Sequence, residues 1–143
     1  MVEEPEVTVS SYADEQVAIY EWLSTHWAET DVAKPNAHFE PSACRDPYVE
    51  VRIRSHNAFN ASVGASKRVR HPGLLTLVVR VPINRGDGLA KDYADQLANA
   101  FRNALVDGSI HFRAPTVRDF GPSDGWYEIH VDCPYHRDTV FSD

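Results

Sequence analysis

The sequence predicts an α+β domain: a mostly antiparallel, twisted sheet of about four main strands, with two helices packed on one face and a long projecting β-hairpin loop. Three observations predict it. Leu75, Leu77, Val79 and Val81 recur at every second residue, so they share one face of a strand. Ala90, Ala94, Leu97, Ala98, Phe101 and Leu105 recur at three and four, which makes a helix stripe wide enough to lie on a sheet. Tyr127, Ile129, Val131 and Cys133 alternate with Glu128, His130 and Asp132, the pattern of a half-buried strand with its polar side wet.

Taken in order, residues 1–10 read as extended or frayed. Ser11 with Asp14 three residues on caps a helix from about Tyr12 to Ala28, with Val17, Ile19, Tyr20, Leu23 and Trp27 available to the core. A polar, Pro-containing stretch follows through Pro47, with His38-Phe39 as a short edge strand. Tyr48 to Arg54 is a strand: Val49, Val51 and Ile53 point one way, while Glu50, Arg52 and Arg54 point the other, so that face is wet or covered by a polar partner.

From Ser55 to Gly73 no helical pattern is present. A connection of that length is either a mobile loop or a functional projection; as a ribbon of eight residues a side it would reach about 26 Å beyond the sheet, at roughly 3.3 Å per residue. Pro82 ends the next strand, Asn84, Gly86, Asp87 and Gly88 turn the chain, and Asp107-Gly108 closes the second helix. Ile110 to Phe120 is a strand in which Pro115 implies a bulge or an edge. Gly121 to Gly125 turns it into the Trp126 strand, and residues 137–143 form a C-terminal tail.

At 143 residues, with 43% hydrophobic content, one domain spanning 1–143 is expected, able to bury roughly 68–70% of its unfolded surface. The longest apolar run, Leu74 to Val81, is too short for a membrane span, and the acidic N-terminus lacks the pattern of a signal peptide. Cys44 and Cys133 read as reduced thiols. The cluster of His130, Asp132 and His136 is the best metal-ligand set, and a small metal-dependent hydrolase is the enzymatic alternative it supports; no Cys-x-x-Cys or His-x-x-x-His partner accompanies it. The Gly86-Asp87-Gly88 turn precedes a helix as an anion site would, but Lys91 stands where a dinucleotide motif needs glycine and Asp87 would repel phosphate. Ser62 and Ser123 lack a nucleophile elbow. No cofactor is implied.

Charge is segregated. Residues 1–40 hold nine acids and one base, residues 41–85 eight bases and two acids, and residues 86–143 ten acids and five bases. The basic middle either balances its flanks within one molecule or meets the acidic surface of a neighbouring copy. A pI near 5.4 disfavours tight nucleic-acid binding, which depends on neutralising phosphates.

The block from Gly73 to Phe101, GLLTLVVRVP followed by YADQLANAF, and the block Asp124 to Tyr135, DGWYEIHVDCPY, resemble the tail terminator proteins of long-tailed bacteriophages. The amphipathic EQVAIYEWLSTHW, the NAHFEP segment and the PYVEVRI strand occur in the matching order, so the resemblance spans roughly Tyr12 to His136. It implies a structural protein of the virion, not an enzyme: a ring, usually of six copies, that caps the tail tube, stops its polymerisation and offers a surface to the head-side connector, while DNA passes through the lumen unbound. Assembly would begin in the host cytoplasm. Another neck or head-completion component would share this composition. In such a ring Phe59 and Val63 are the expected apolar contacts, and Lys67, Arg68 and Arg70 are expected to face Asp14, Glu15 and Glu21 of the next copy.

Overall fold

The computed structural model describes residues 9, 11–34, 39, 46–61, 66–83 and 87–142. His38, Cys44, Ser62, Val63, Asn84 and Gly86, named above, lie outside the described residues. Helix α1 (Tyr12–His26) begins at Ser11, whose side chain accepts the Asp14 N–H. After it come β1 (Asp31–Ala33), β2 (Tyr48–Ser55), β3 (Phe59–Asn60) and β4 (Ser66–Pro82). Helix α2 (Asp87–Phe101), β5 (Leu105–Val106), β6 (Ile110–Phe112), β7 (Thr116–Ser123) and β8 (Trp126–Ser142) complete the chain.

The sheet is built on β4 and β8, which pair antiparallel from Ser66↔Ser142 to Pro82↔Trp126. β2 adds to the other edge of β4, and β3 to the same edge further out; β6 and β7 share the far edge of β8. The expected sheet of about four antiparallel strands is thus an eight-stranded mixed one, because β1 runs parallel to β2 and short strands extend the edges. Three other expectations change. The predicted 110–120 strand breaks at Arg113 to Pro115, where Pro134 of β8 also lacks a donor and Arg113 donates its N–H to the Pro134 carbonyl. α2 stops at Phe101, and Leu105 belongs to a short hairpin turned by Asp107 and Gly108, both at positive φ. Residues 137–142 are not a tail but the last third of β8.

One face of the sheet carries both helices. Val49, Val79 and Ile129 align across three strands, as do Val51, Leu77 and Val131, and all six are buried. Ala18, Ile19 and Leu23 of α1 and Ala90, Ala94, Leu97, Ala98 and Phe101 of α2 cover them. The alanines let the α2 backbone approach the strands closely, and the Trp22 indole donates to the Ala100 carbonyl, tying the helices together at 3.0 Å. β7 enters β8 through Asp124-Gly125, a two-residue hairpin with both residues at positive φ.

Phe101 is fully buried against Phe112, with ring centroids 5.0 Å apart. Phe101→Ala is expected to cost about 3–5 kcal/mol in denaturant unfolding, the range for emptying an aromatic core site. A loss under about 1 kcal/mol would mean that α2 does not seat on the sheet through this ring.

Candidate functional site

β4 and β8 are longer than the helices that cover them. Beyond Gly73 and Tyr135 the paired strands continue, Ser66 to Pro72 against His136 to Ser142, and the segment from His56 to Ala61 runs alongside through β3 and two further backbone bonds. The predicted projection is therefore a three-stranded arm, and its second long strand comes from the end of the chain, not from an extension of β2. At roughly 3.3 Å per residue the seven residues from Ser66 to Pro72 span about 23 Å.

The root of the arm is fixed by a buried ionic cluster. Glu15, in the first turn of α1, is 2% exposed, and Arg137 of β8 is 1% exposed. The Arg137 Nε–H donates to Glu15 Oε1 at 2.9 Å, and the Tyr135 hydroxyl donates to Oε2 at 2.8 Å. The Arg137 guanidinium also lies 4.8 Å from the centre of the Tyr12 ring. Burial, with Glu15 beside it, pushes the Tyr135 phenol far up, so it stays a donor. Gly73 makes this packing possible, because a Cβ there would stand 2.4 Å from the end of the Tyr135 ring. Glu15 is accordingly corrected from an intersubunit acid to an internal one.

His71 sits beside this cluster, its ring nitrogens 3.3 Å from the Tyr12 hydroxyl and 3.0 Å from Thr139 Oγ1. Burial and then Arg137 hold its pKa below the usual value, against the opposing pull of Glu15 and Asp138. On the opposite face of the ribbon His136 stacks on His111 at 5.0 Å, and burial followed by Arg70 lowers its pKa too. Arg70 grips Asp138 with two hydrogen bonds of 2.9 and 3.1 Å, which carries the carboxyl below its ordinary range, and Arg68 approaches the same carboxylate at 3.7 Å. Arg70 and Arg68 thus have an acid within their own chain. Lys67 lies on the exposed arm, Asp14 and Glu21 on the exposed side of α1, and Phe59 at the arm edge is 52% exposed.

The helix-free face of the sheet is a network of paired charges. Arg80 lies between Glu50, at 2.6 Å, and Glu128, at 3.4 Å, and Arg52 also bonds Glu50. Burial alone would raise the Glu50 pKa; hydrogen bonds from Arg80 and Arg52 bring it below the usual value. Asp132 accepts from Thr76 and Arg118. His130, expected to be wet, is buried under Phe120 and bonds Glu128 at 2.8 Å. The three metal candidates are therefore not brought together: His130 and Asp132 have separate partners, and His136 is six residues along β8 with His111. Cys133 is a core thiol, pushed up to about 12 by burial and Asp132.

A family model described as "Phage tail terminator protein" matches residues 16–135. The chain belongs to that family. Among solved structures, one with 16% sequence identity aligns over 90% of this chain and 98% of its own length with a TM-score of 0.63, a likeness of fold. No curated protein matches.

Two outcomes are expected at the arm root. Glu15→Ala leaves Arg137 charged and buried, and should cost about 3–5 kcal/mol by urea unfolding, whereas Glu15→Leu combined with Arg137→Met should recover most of that loss. An equal loss in the single and double variants would mean the pair contributes only packing. Because folded His71 and His136 have lowered pKa values, the unfolded chain binds protons first: stability should be full above about pH 6.5 and fall as pH drops below it, with Asp138 adding its own loss further down, near and below the carboxylate range. His71→Gln with His136→Gln should flatten the melting temperature between pH 7.5 and 5.5; an unchanged slope would assign it to other groups.

Proposed function

We propose that this tail terminator family member assembles with copies of itself into a ring, of six subunits as in the family reading, that caps the tail tube. The ring stops tube polymerisation and presents a joining surface to the head-side connector. The observation that carries this reading is the pair of unlike surfaces on one subunit: a basic arm that continues from the ends of β4 and β8 beyond the helices, and an acidic body whose β7 edge has no further strand among the described residues. A closed ring requires such heterologous contacts, in which one surface meets a different surface of the next copy. Symmetric dimers need only one self-complementary patch.

A structural, non-catalytic role agrees with the interior chemistry. Of the polar groups placed inside the fold, Glu15, Tyr135 and Thr76 are hydrogen-bonded within the chain, and Arg137 bonds Glu15 through Nε while its buried Nη1 has no hydrogen-bond partner. The net charge of −7 suits a lumen through which DNA slides without adhering, since adhesion depends on cations that displace the counterions of phosphate. No helix among the described residues is long and apolar enough to cross a membrane. The reading places the protein in the tail of the virion, after assembly in the host cytoplasm.

Replacing Asn57 to Arg68 by a short Gly-containing turn should leave a folded subunit that neither forms rings nor halts tube growth when mixed with tube protein, as seen by sedimentation and negative-stain microscopy. Rings of normal size from the shortened chain would remove the arm from assembly. Intact protein that leaves tubes to grow at their normal length would remove the capping function.

A further inference from the structure

β7 is the longest strand with a single strand partner. Seven of its eight residues pair with β8, its one strand partner among the described residues, and Phe120 falls at a register shift, whereas the other strands with a single partner, β1, β3 and β5, have two or three residues. In an antiparallel edge strand every second residue turns its N–H and C=O away from the sheet, and such an edge accepts another strand unless charges or prolines guard it. Pro122 and the register shift after Asp119 lie toward the hairpin end of β7, and the charges of the strand do not guard the rest of it. Arg118 is drawn back to Asp132, and Asp119 accepts the Tyr127 hydroxyl and the Gly121 N–H. Val117 and Phe120 are left 45% and 51% exposed.

The edge of the arm at β3 has complementary properties. Phe59 lies across from Arg70 and Asp138, on the helix-free face, and Phe120 covers His130 on that same face. Residues 56–70 carry three basic side chains and no acidic one, while residues 116–132 carry four acidic and one basic. β3 and β7 also lie on opposite flanks of the β4–β8 pair. β3 runs parallel to β8 and β7 antiparallel to it, so a neighbour related by rotation about a ring axis brings its β3 antiparallel to β7 with the same face outward. The two edges differ in height by the seven residues from Val131 to Asp138 along β8, about 23 Å at roughly 3.3 Å per residue. A stagger of that kind is what a sheet needs to close around an axis.

We propose that the arm edge at Phe59 and Asn60 of one copy adds as a further antiparallel strand to β7 of the next, setting Phe59 beside Phe120. This rests on the ring reading above and names its contact. The test uses Phe59→Cys with Phe120→Cys in one chain carrying Cys44→Ser; Cys133 is buried and stays. Oxidation should give a ladder of covalent species up to the full ring on a non-reducing gel, while either single cysteine variant stops at dimers. Val117→Lys should weaken assembly at least tenfold by sedimentation and leave the melting temperature of the subunit unchanged. Rings that sediment normally yet yield no ladder, or that tolerate Val117→Lys, overturn this contact and leave the ring standing. If the unmodified chain, with and without tube protein, stays a monomer, the ring reading falls and this contact with it.

Discussion

The in-register pairing of β4 with β8 is the constraint on which the rest of the molecule depends. Each is 17 residues long, and every other strand of the sheet is attached to one or the other, except the short β1 and β5 at the ends. A shift of one residue would turn Leu75, Leu77 and Val79 out of the core together. The helices are 15 residues each and lie on the sheet, so they cover only part of such long strands. What they do not cover becomes the arm.

At the limit of that cover the chemistry of the interior changes. Deep under the helices the sheet is aliphatic, and at the boundary an aliphatic side chain would have little to pack against. There the chain places a carboxylate, a phenol and a guanidinium, each meeting its counterpart, and Gly73 opens the space for the ring. The other face solves the same problem without helices. Arg80 shared by Glu50 and Glu128, and Phe120 laid over His130, bury Val78 completely on a face that carries charges across its width.

Much of this was legible from spacing. The strand periodicities, the Ser11 cap, the two helices, the Asp124-Gly125 hairpin and the presence of a projection all follow from local pattern, and the order of the blocks pointed to the family. Three things were hidden by long-range pairing. His130 alternates with apolar residues just as a wet residue would, and nothing local says that Phe120 folds over it. Glu15 sits among exposed acids in sequence, and only the register of α1 against a strand more than a hundred residues away makes it internal. Residues 137–142 lack a clean alternation of polar and apolar side chains, so no local pattern marks them as a strand; only their pairing with residues 66–71 does. Phe59 is legible as an exposed apolar residue and Pro115 as the mark of a bulge or an edge, but β7 runs on to Ser123, through Gly121 and Pro122, which locally read as part of the turn.

The Glu15–Arg137 bond spans 122 positions of the chain, joining its first helix to its last strand. A contact of such separation costs more chain entropy to close than a local one does. Until β8 docks, the Glu15 carboxylate remains in water, β4 has one open edge along its whole length, and the arm has only one of its two long strands. The arm and the finished core therefore appear in the same event. A chain whose β8 has not docked lacks the second long strand of the arm, so in the proposed ring such a subunit would have no complete arm to offer its neighbours.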